Sequence, residues 1–221
     1  MSTAFHSAMT LIRCSLLALL AVPLAAQTVD RLVGKNVSIA QMNYKGRSAI
    51  QVIATPGAAN ASSYAAVKGA LFRDGTIEVD LAGQPAAGAA EGARGFIGIA
   101  FRLQNDGSYE YIYLRPTNGR ADDQVRRNHS TQYGSYPGFD FARSRQEAPG
   151  KYESYVDLQP GVWTKFRIEV EGRKARLYVN GAEQPCLIVN DMKLEPRDGG
   201  VALWVEPGTD GYFSNLKITA Q

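Results

Sequence analysis

The chain has 221 residues, 24 of them basic and 21 acidic, with a formal net charge of +3 and two cysteines. Nucleic-acid-binding domains usually have a concentrated basic face and a higher isoelectric point, so no nucleic-acid partner is predicted. Two cysteines are too few for a metal site built on several thiolates. The length suits one domain, or at most two.

The N-terminal segment has the features of a secretory signal peptide. Arg13 precedes the apolar run LLALLAVPLAAQ, which ends in small residues and is too short to span a bilayer. Cleavage after Ala26 predicts a signal peptide over 1–26, a single domain over 27–221, and a secreted or periplasmic location. No later run is apolar enough to cross a membrane. Loss of the leader leaves Cys186 without a disulfide partner.

The rest of the chain alternates hydrophobic and polar residues with a period of two, which is typical of β-strands with one buried face. This pattern predicts strands over Val37–Met42, Ser48–Ala54, Val67–Arg73, Thr76–Leu81, Phe96–Arg102, Ser108–Arg115, Lys151–Asp157, Lys165–Glu171, Lys174–Val179, Val201–Glu206 and Tyr212–Thr219. Asp-Gly and Asn-Gly pairs between many of them supply the positive φ that tight turns need. With no helical period in evidence, the sequence predicts an all-β fold, an antiparallel jelly-roll β-sandwich.

Two segments interrupt this pattern. The first, from Gly83 to Gly95, is rich in alanine and glycine and is interpreted as a flexible loop or lid. The second, from Arg115 to Gly150, is a long irregular insertion, and loops of this length in a compact domain are usually functional or disordered. Disorder is disfavoured because aromatic residues give the insertion something to pack with, namely Tyr133, Tyr136, Phe139 and Phe141.

The C-terminal part resembles a known superfamily. The sequence GVWTKFRIEVEGRKARLYVNGAEQPCLIV, followed by GGVALWVEPGTDGYFSNLKI, is similar to the back half of concanavalin A-like lectins and glucanases. Laminin-G-like and 3-keto-disaccharide hydrolase-type domains share the same features, and the resemblance covers roughly Gly69 to Ile218. It implies the jelly-roll fold. It does not choose among lectins, binding modules, glycoside hydrolases and polysaccharide lyases, because one fold hosts all four.

One face of the strand Ser108–Arg115 holds residues that suit a sugar ligand: Tyr109, Tyr111, Tyr113 and Arg115. Aromatic rings and a guanidinium match the C–H patches and hydroxyls of a saccharide, although tyrosine is also a favoured strand residue and can simply cover a sheet. Trp204 is out of step with the inward residues of its strand. It is therefore either a stacking platform on the open face or secondary core beneath a loop.

Basic residues are concentrated in the insertion. Four arginines in or beside it could neutralise a carboxylate, sulfate or phosphate through paired hydrogen bonds: Arg115, Arg120, Arg126 and Arg127. Pairing with Asp122 and Asp123 is the alternative, and would only hold the loop closed. The strand 151–157 adds three candidate ligand-binding residues on one polar face, Lys151, Glu153 and Tyr155.

His129 and Tyr133 are the candidate catalytic residues. A base beside an arginine that stabilises an enolate is the chemistry of uronate β-elimination, and the hydrolase resemblance implies similar proton abstraction next to a ketone. A retaining-glucanase motif, Glu-x-Asp-x-x-Glu, would begin at Glu78 but meets Gly83 where its acid should stand, so that mechanism is disfavoured. No cofactor is predicted, and a structural calcium is compatible with the turns at Asp106 and Asp210.

These observations predict a secreted or periplasmic carbohydrate-binding domain, suited to anionic glycans, that uses the open sheet and the insertion. The first alternative is an enzyme on the same surface, either a polysaccharide lyase or a 3-keto-glycoside hydrolase. The second is a protein-interaction module of the cell envelope, a role that the laminin-G-like resemblance implies.

Overall fold

The computed structural model describes residues 28–58 and 62–221, so the predicted signal peptide lies outside the described residues. Within them the chain forms fourteen strands and two short α-helices. The strands are β1 (Leu32–Lys35), β2 (Val37–Tyr44), β3 (Arg47–Ala54), β4 (Tyr64–Val67), β5 (Gly75–Pro85), β6 (Ile97–Leu103), β7 (Tyr109–Leu114), β8 (Thr131–Tyr136), β9 (Glu153–Ser154), β10 (Thr164–Glu171), β11 (Lys174–Val179), β12 (Leu187–Val189), β13 (Gly200–Val205) and β14 (Thr209–Ala220). The helices are α1 (Gln124–Asn128) and α2 (Phe141–Glu147).

The strands build two seven-stranded antiparallel sheets. The front sheet has the order β1-β4-β13-β6-β7-β8-β9, and the back sheet has the order β12-β11-β10-β5-β14-β3-β2. Neighbours in each sheet are often distant in sequence, since β13 pairs with β4 and β6, and β14 pairs with β3 and β5. This arrangement is a jelly-roll sandwich, and it confirms the predicted fold class.

The hydrophobic core fills the space between the two sheets. Alternation along each strand places there the inward residues that the sequence predicted, including Ile77, Val79, Leu81, Ile97, Ile99, Phe101, Phe166, Ile168, Leu177, Val201 and Leu203. Burial of each large side chain contributes about 1.5–3 kcal/mol, which makes this interior the main source of stability. The opposite side of the front sheet, called here its outer face, carries a separate aromatic cluster.

The largest differences from the predicted strand bounds are at β4 and β9. β4 ends at Val67, where a strand was expected to begin, because Gly69 turns the chain with a φ of 70°. Phe72 contributes only an isolated bridge to Gly199. β9 has two residues instead of seven, because it lies at the edge of the front sheet and pairs with β8 only at two positions.

The insertion contains one strand and two α-helices that the sequence did not predict, namely β8, α1 and α2. Each helix begins after an aspartate whose side chain accepts a hydrogen bond from a backbone N–H three residues later: Asp123 from Arg126, and Asp140 from Arg143. Helices of five and seven residues are too short to display a clear helical period. The aspartate caps were therefore the only local signal available.

Candidate functional site

A pocket of about 210 Å³ opens beside the end of β7, on the outer face of the front sheet. It is called here the arginine pocket, and its lining consists of Arg94, Phe96, Arg115, Asn118, Arg126, His129, Phe141 and Arg145. The four arginines come from four separate segments: the loop after β5, the end of β7, α1 and α2. Guanidinium groups pair with carboxylates, sulfates and phosphates through two parallel hydrogen bonds, so the lining suits an anion.

Glu153 is the buried counter-charge of the arginine pocket. Its Oε1 accepts hydrogen bonds from Arg115 at 2.8 Å and from Arg145 at 2.6 Å, and its Oε2 accepts from Arg145 at 2.8 Å. Arg115 also donates to the Tyr113 hydroxyl at 2.8 Å and to Oε1 of Gln132. Burial alone would raise the pKa of Glu153, but the bonds from Arg145 and Arg115 outweigh it and leave this pKa below its ordinary value. Arg115 is thereby held rigidly as a buried cation.

His129 stands at the rim of this network, with Nε2 3.5 Å from Oε2 of Glu153. Burial lowers the pKa of the imidazole; Glu153 opposes this shift, while Arg145 and Arg115 reinforce it. The ring is therefore neutral at neutral pH. A neutral imidazole can accept a proton, which is the requirement for a general base.

Arg94 and Arg126 have no salt bridge to any acid within the described part of the chain. Arg94 donates only to two backbone carbonyls, those of Glu91 and Ala93, each at 3.3 Å. The exposed side chain of Arg126 makes no hydrogen bond to the described residues, although its backbone N–H is capped by Asp123. The pocket thus has two guanidinium groups without an acidic partner among the described residues, and its four lining arginines favour an anion.

Two phenylalanines form the apolar walls of the arginine pocket. The Arg115 guanidinium lies over the ring of Phe96, 4.9 Å from its centroid, and over the ring of Phe141 at 5.9 Å. Arg145 lies 5.3 Å from the Phe141 centroid. Phe141 is exposed, so a bound molecule could contact its ring while meeting the arginines with its charge.

A packed aromatic layer continues from the pocket across the outer face. The rings of Tyr111 and Tyr113 are stacked 5.4 Å apart, and the Trp204 ring lies 5.1 and 5.0 Å from them. Trp204 is only 5% exposed. Of the two alternatives that the sequence left open, Trp204 matches the covered aromatic layer and not the exposed platform.

Tyr133 does not share the pocket with His129. Successive residues of β8 point to opposite faces, so Gln132 reaches the outer face whereas Tyr133 lies in the core between the sheets. Its hydroxyl donates to Glu110 at 2.5 Å and accepts from the backbone N–H of Lys193 at 2.6 Å. Burial raises the pKa of Tyr133 far above its ordinary value. A base at the pocket must therefore be another residue.

Four other predicted ligand-binding residues lie outside the arginine pocket. They form their own pairs near the surface, which are Arg120–Asp157 (2.7 Å), Arg127–Tyr155 (3.0 Å) and Lys151–Asp191 (2.8 Å). The two exposed ion pairs among these, Arg120–Asp157 and Lys151–Asp191, contribute little to stability. Within the described residues, the expected pairing of the insertion's arginines with Asp122 and Asp123 does not occur as salt bridges.

Five residues of the pocket were not predicted, namely Arg94, Phe96, Asn118, Phe141 and Arg145. Arg94 lies in the alanine- and glycine-rich segment after β5, and no neighbouring residue in the sequence indicates that it belongs to a site. Phe141 and Arg145 are four residues apart, and this spacing places both on one face of a helix. Recognition of the Asp140 cap would have revealed that face.

The described residues contain no group of three or more His, Cys, Asp or Glu side chains arranged to hold a metal ion. At one of the turns considered for calcium, Oδ1 of Asp106 accepts hydrogen bonds from the backbone N–H and the hydroxyl of Ser108, at 2.8 and 2.7 Å. No helix in the described ranges is long and apolar enough to cross a membrane.

No protein-family model matches the sequence, and no curated protein matches it either. Several solved structures, however, match the structure of this chain. The carbohydrate-binding module CBM66 from Bacillus subtilis matches with a TM-score of 0.55 and 14% identity, over 84% of this chain and 93% of that one. A protein of unknown function with a galectin-like fold from Bacillus subtilis matches with a TM-score of 0.53 and 10% identity, over 85% and 87% of the two chains. These likenesses show the fold alone, a jelly-roll sandwich, which is the fold that the resemblance to concanavalin A-like lectins and glucanases implied.

Proposed function

We propose that the protein is a carbohydrate-binding domain that holds the acidic group of an anionic glycan in the arginine pocket. The observation that carries this proposal is that Arg94 and Arg126 lack acidic partners among residues 28–58 and 62–221 while lining one pocket with Arg115. A carboxylate or sulfate would supply the missing charge. The likeness to a carbohydrate-binding module supports a sugar as the molecule that carries it.

The four arginines have different roles in this proposal. Arg115 and Arg145 already bond to Glu153, so they contribute charge and hold the floor and wall in place. Arg94 and Arg126 are free to form new charge-assisted hydrogen bonds with the ligand. The phenylalanine walls would meet the C–H patches of the sugar ring. Affinity should therefore depend most directly on the two free arginines.

Replacement of Arg126 by alanine is expected to weaken the binding of an oligogalacturonate about tenfold, because a charge-assisted hydrogen bond is lost. Isothermal titration calorimetry at low salt measures the effect, and added salt should weaken binding to the unaltered protein. Arg197→Ala is the matched control. Arg197 is exposed and lies near Asp106. Asp106 belongs to the β6–β7 connection, at the end of β7 opposite the arginine pocket. Equal affinity for the Arg126 variant and the unaltered protein would contradict the proposal.

A glycan-cleaving function is the second candidate, and the neutral imidazole of His129 beside the arginines favours it. His129 would take the proton on the carbon next to the uronate carboxylate. The neighbouring carbon–oxygen glycosidic bond would then break, a carbon–carbon double bond would form, and the departing oxygen would gain a proton. The arginines would stabilise the enolate that precedes bond cleavage.

Cleavage of this kind would produce an unsaturated uronide, which absorbs in the ultraviolet. If the protein is an enzyme, we expect this absorbance to grow with time and to be lost in His129→Ala, while that variant still binds the oligogalacturonate. The pure binding domain predicts intact sugar after long incubation. Cleavage that survives in His129→Ala would remove His129 from the role of base.

We also propose that the protein is secreted or periplasmic, on the strength of the leader in residues 1–26. A domain that binds glycans outside the cell would meet its ligand there. Sequencing of the exported protein should find Gln27 at its N-terminus, and retention of the leader would contradict the proposal.

A further inference from the structure

The outer face of the front sheet changes in charge with distance from the arginine pocket. Side chains that share this face of β7 follow each other at about 7 Å, so Tyr113 and then Tyr111 succeed Arg115. Glu206 lies just beyond β13, two residues after Trp204, which packs against both tyrosines. Val205 pairs with Ile97, and Ile97 pairs with Leu114, so Glu206 lies level with Arg115, two strands away across the face.

Two contacts fix the position of Glu206 relative to the pocket. Its backbone N–H donates to the carbonyl of Phe96 at 3.1 Å, and the Phe96 ring lies 5.4 Å from that of Tyr113. The carboxyl group is exposed to solvent yet has protein on several sides. Burial raises the pKa of Glu206, the charge of Arg115 lowers it, and the charge of Asp140 raises it, so a cation and a second acid both act on this carboxyl group.

Asp140 is the second acid on this side of the pocket. It caps α2, the helix that supplies Phe141 and Arg145 to the pocket wall. Its charge acts on both Glu206 and Tyr111. Beyond the arginines, the outer face is consequently unfavourable for a further anionic group.

Two polar groups in this region lack partners. Tyr111 is 8% exposed, and its hydroxyl makes no hydrogen bond to residues 28–58 or 62–221. The ring is held against Gly134, where a Cβ would come within 2.7 Å of the Tyr111 ring carbon Cζ. The carboxyl group of Glu206 likewise has no hydrogen bond or salt bridge to those residues. The Tyr111 hydroxyl reaches solvent and Glu206 is exposed, so both groups are available to a bound molecule.

We propose that Tyr111 and Glu206 form a subsite for an uncharged, hydroxyl-bearing sugar residue, adjacent to the acidic residue in the arginine pocket. This inference rests on the proposed function. A sugar hydroxyl would donate to the Glu206 carboxylate, and the Tyr111 hydroxyl would donate to a sugar oxygen. A carboxylate at this position would instead face Glu206 and Asp140. The preferred ligand is therefore a glycan in which acidic and neutral residues alternate.

Two probes with different charge patterns test this subsite. A hyaluronan hexasaccharide alternates glucuronate with N-acetylglucosamine, whereas a galacturonate hexamer is acidic at every residue. We expect the unaltered protein to bind the hyaluronan probe about tenfold more tightly. In Glu206→Gln this ratio should fall several-fold, because the repulsion of the second carboxylate is removed. Tyr111→Phe should weaken only the hyaluronan probe.

Glu183→Gln is the matched control, because Glu183 is an exposed glutamate in the β11–β12 connection of the back sheet. Its affinity ratio should equal that of the unaltered protein. If the unaltered protein binds neither probe, the proposed function itself fails. If it binds both and the ratio is the same in Glu206→Gln and Tyr111→Phe, the subsite is overturned while the arginine pocket stands. An unchanged melting temperature in each variant would show that a change in affinity does not arise from a loss of stability.

Discussion

Replacement of Glu153 by alanine is expected to lower the free energy of unfolding by about 3–5 kcal/mol, the usual cost of leaving a buried charge without its partner. The stranded charge is Arg115, whose side chain is 3% exposed and would lose its only carboxylate partner among the described residues. Arg145 is 38% exposed and would regain hydration, so it adds little to this loss. Urea denaturation at neutral pH measures the change.

The matched control is Glu147→Ala, which removes an exposed glutamate paired with Arg143 on α2 at 2.5 Å. Its effect should stay below about 1 kcal/mol. The depressed pKa of Glu153 also predicts a pH dependence. Its contribution is present above the unfolded-state pKa of about 4.3, and is lost as the pH falls through the folded-state pKa. A stability difference between Glu153→Ala and the unaltered protein that persists undiminished in strong acid would refute this explanation.

Replacement of Arg102 by methionine is expected to cost about 3–5 kcal/mol, because three hydrogen bonds donated by a buried cation are lost. The Arg102 side chain is 2% exposed and joins three segments at one end of the sandwich. Its Nε donates to the Arg73 carbonyl at 2.7 Å, and its Nη2 donates to Asp74 at 3.0 Å and to the Gly172 carbonyl at 2.7 Å. Methionine fills much of the volume, but it leaves two carbonyl groups and a carboxylate without this donor.

Arg73→Met offers a close comparison, because Arg73 also lies near Asp74, at 3.6 Å, but its side chain is 56% exposed. That variant should lose less than about 1 kcal/mol. Thermal or urea unfolding of both variants gives the answer directly. Similar losses for the two would mean that burial does not set the value of the Arg102 contacts.

The sandwich could be predicted from the sequence because period-two alternation reports directly on which side chains meet between the sheets. Ile77, Val79 and Leu81 are an example, and the out-of-step position of Trp204 correctly placed it on the other face. β8 was not predicted, because the buried polar residues Gln132 and Ser135 break the alternation of hydrophobic and polar residues. Their burial depends on partners supplied by other segments, and the strand itself gives no sign of it.

The candidate site could be predicted only in part, for a similar reason. Arg120, Arg126 and Arg127 look equivalent in the sequence, and only the fold pairs Arg120 with Asp157 and Arg127 with Tyr155 while leaving Arg126 free. Arg94 and Arg145 are far from this stretch, and tertiary packing alone brings them to the pocket. The residue types indicated that the site would suit an anion. Which arginines line the pocket was decided by the partners that the fold gives to each of them.

The two short helices that flank the arginine pocket carry a consequence for motion. Helices of five and seven residues are not stable in isolation, so α1 and α2 depend on their docking to the sheet. Each delivers one arginine to the pocket, Arg126 from α1 and Arg145 from α2. An anion bound in the pocket would contact both arginines and so link α1 to α2. Occupancy should therefore slow amide hydrogen exchange in both helices, and raise the melting temperature with the logarithm of ligand concentration.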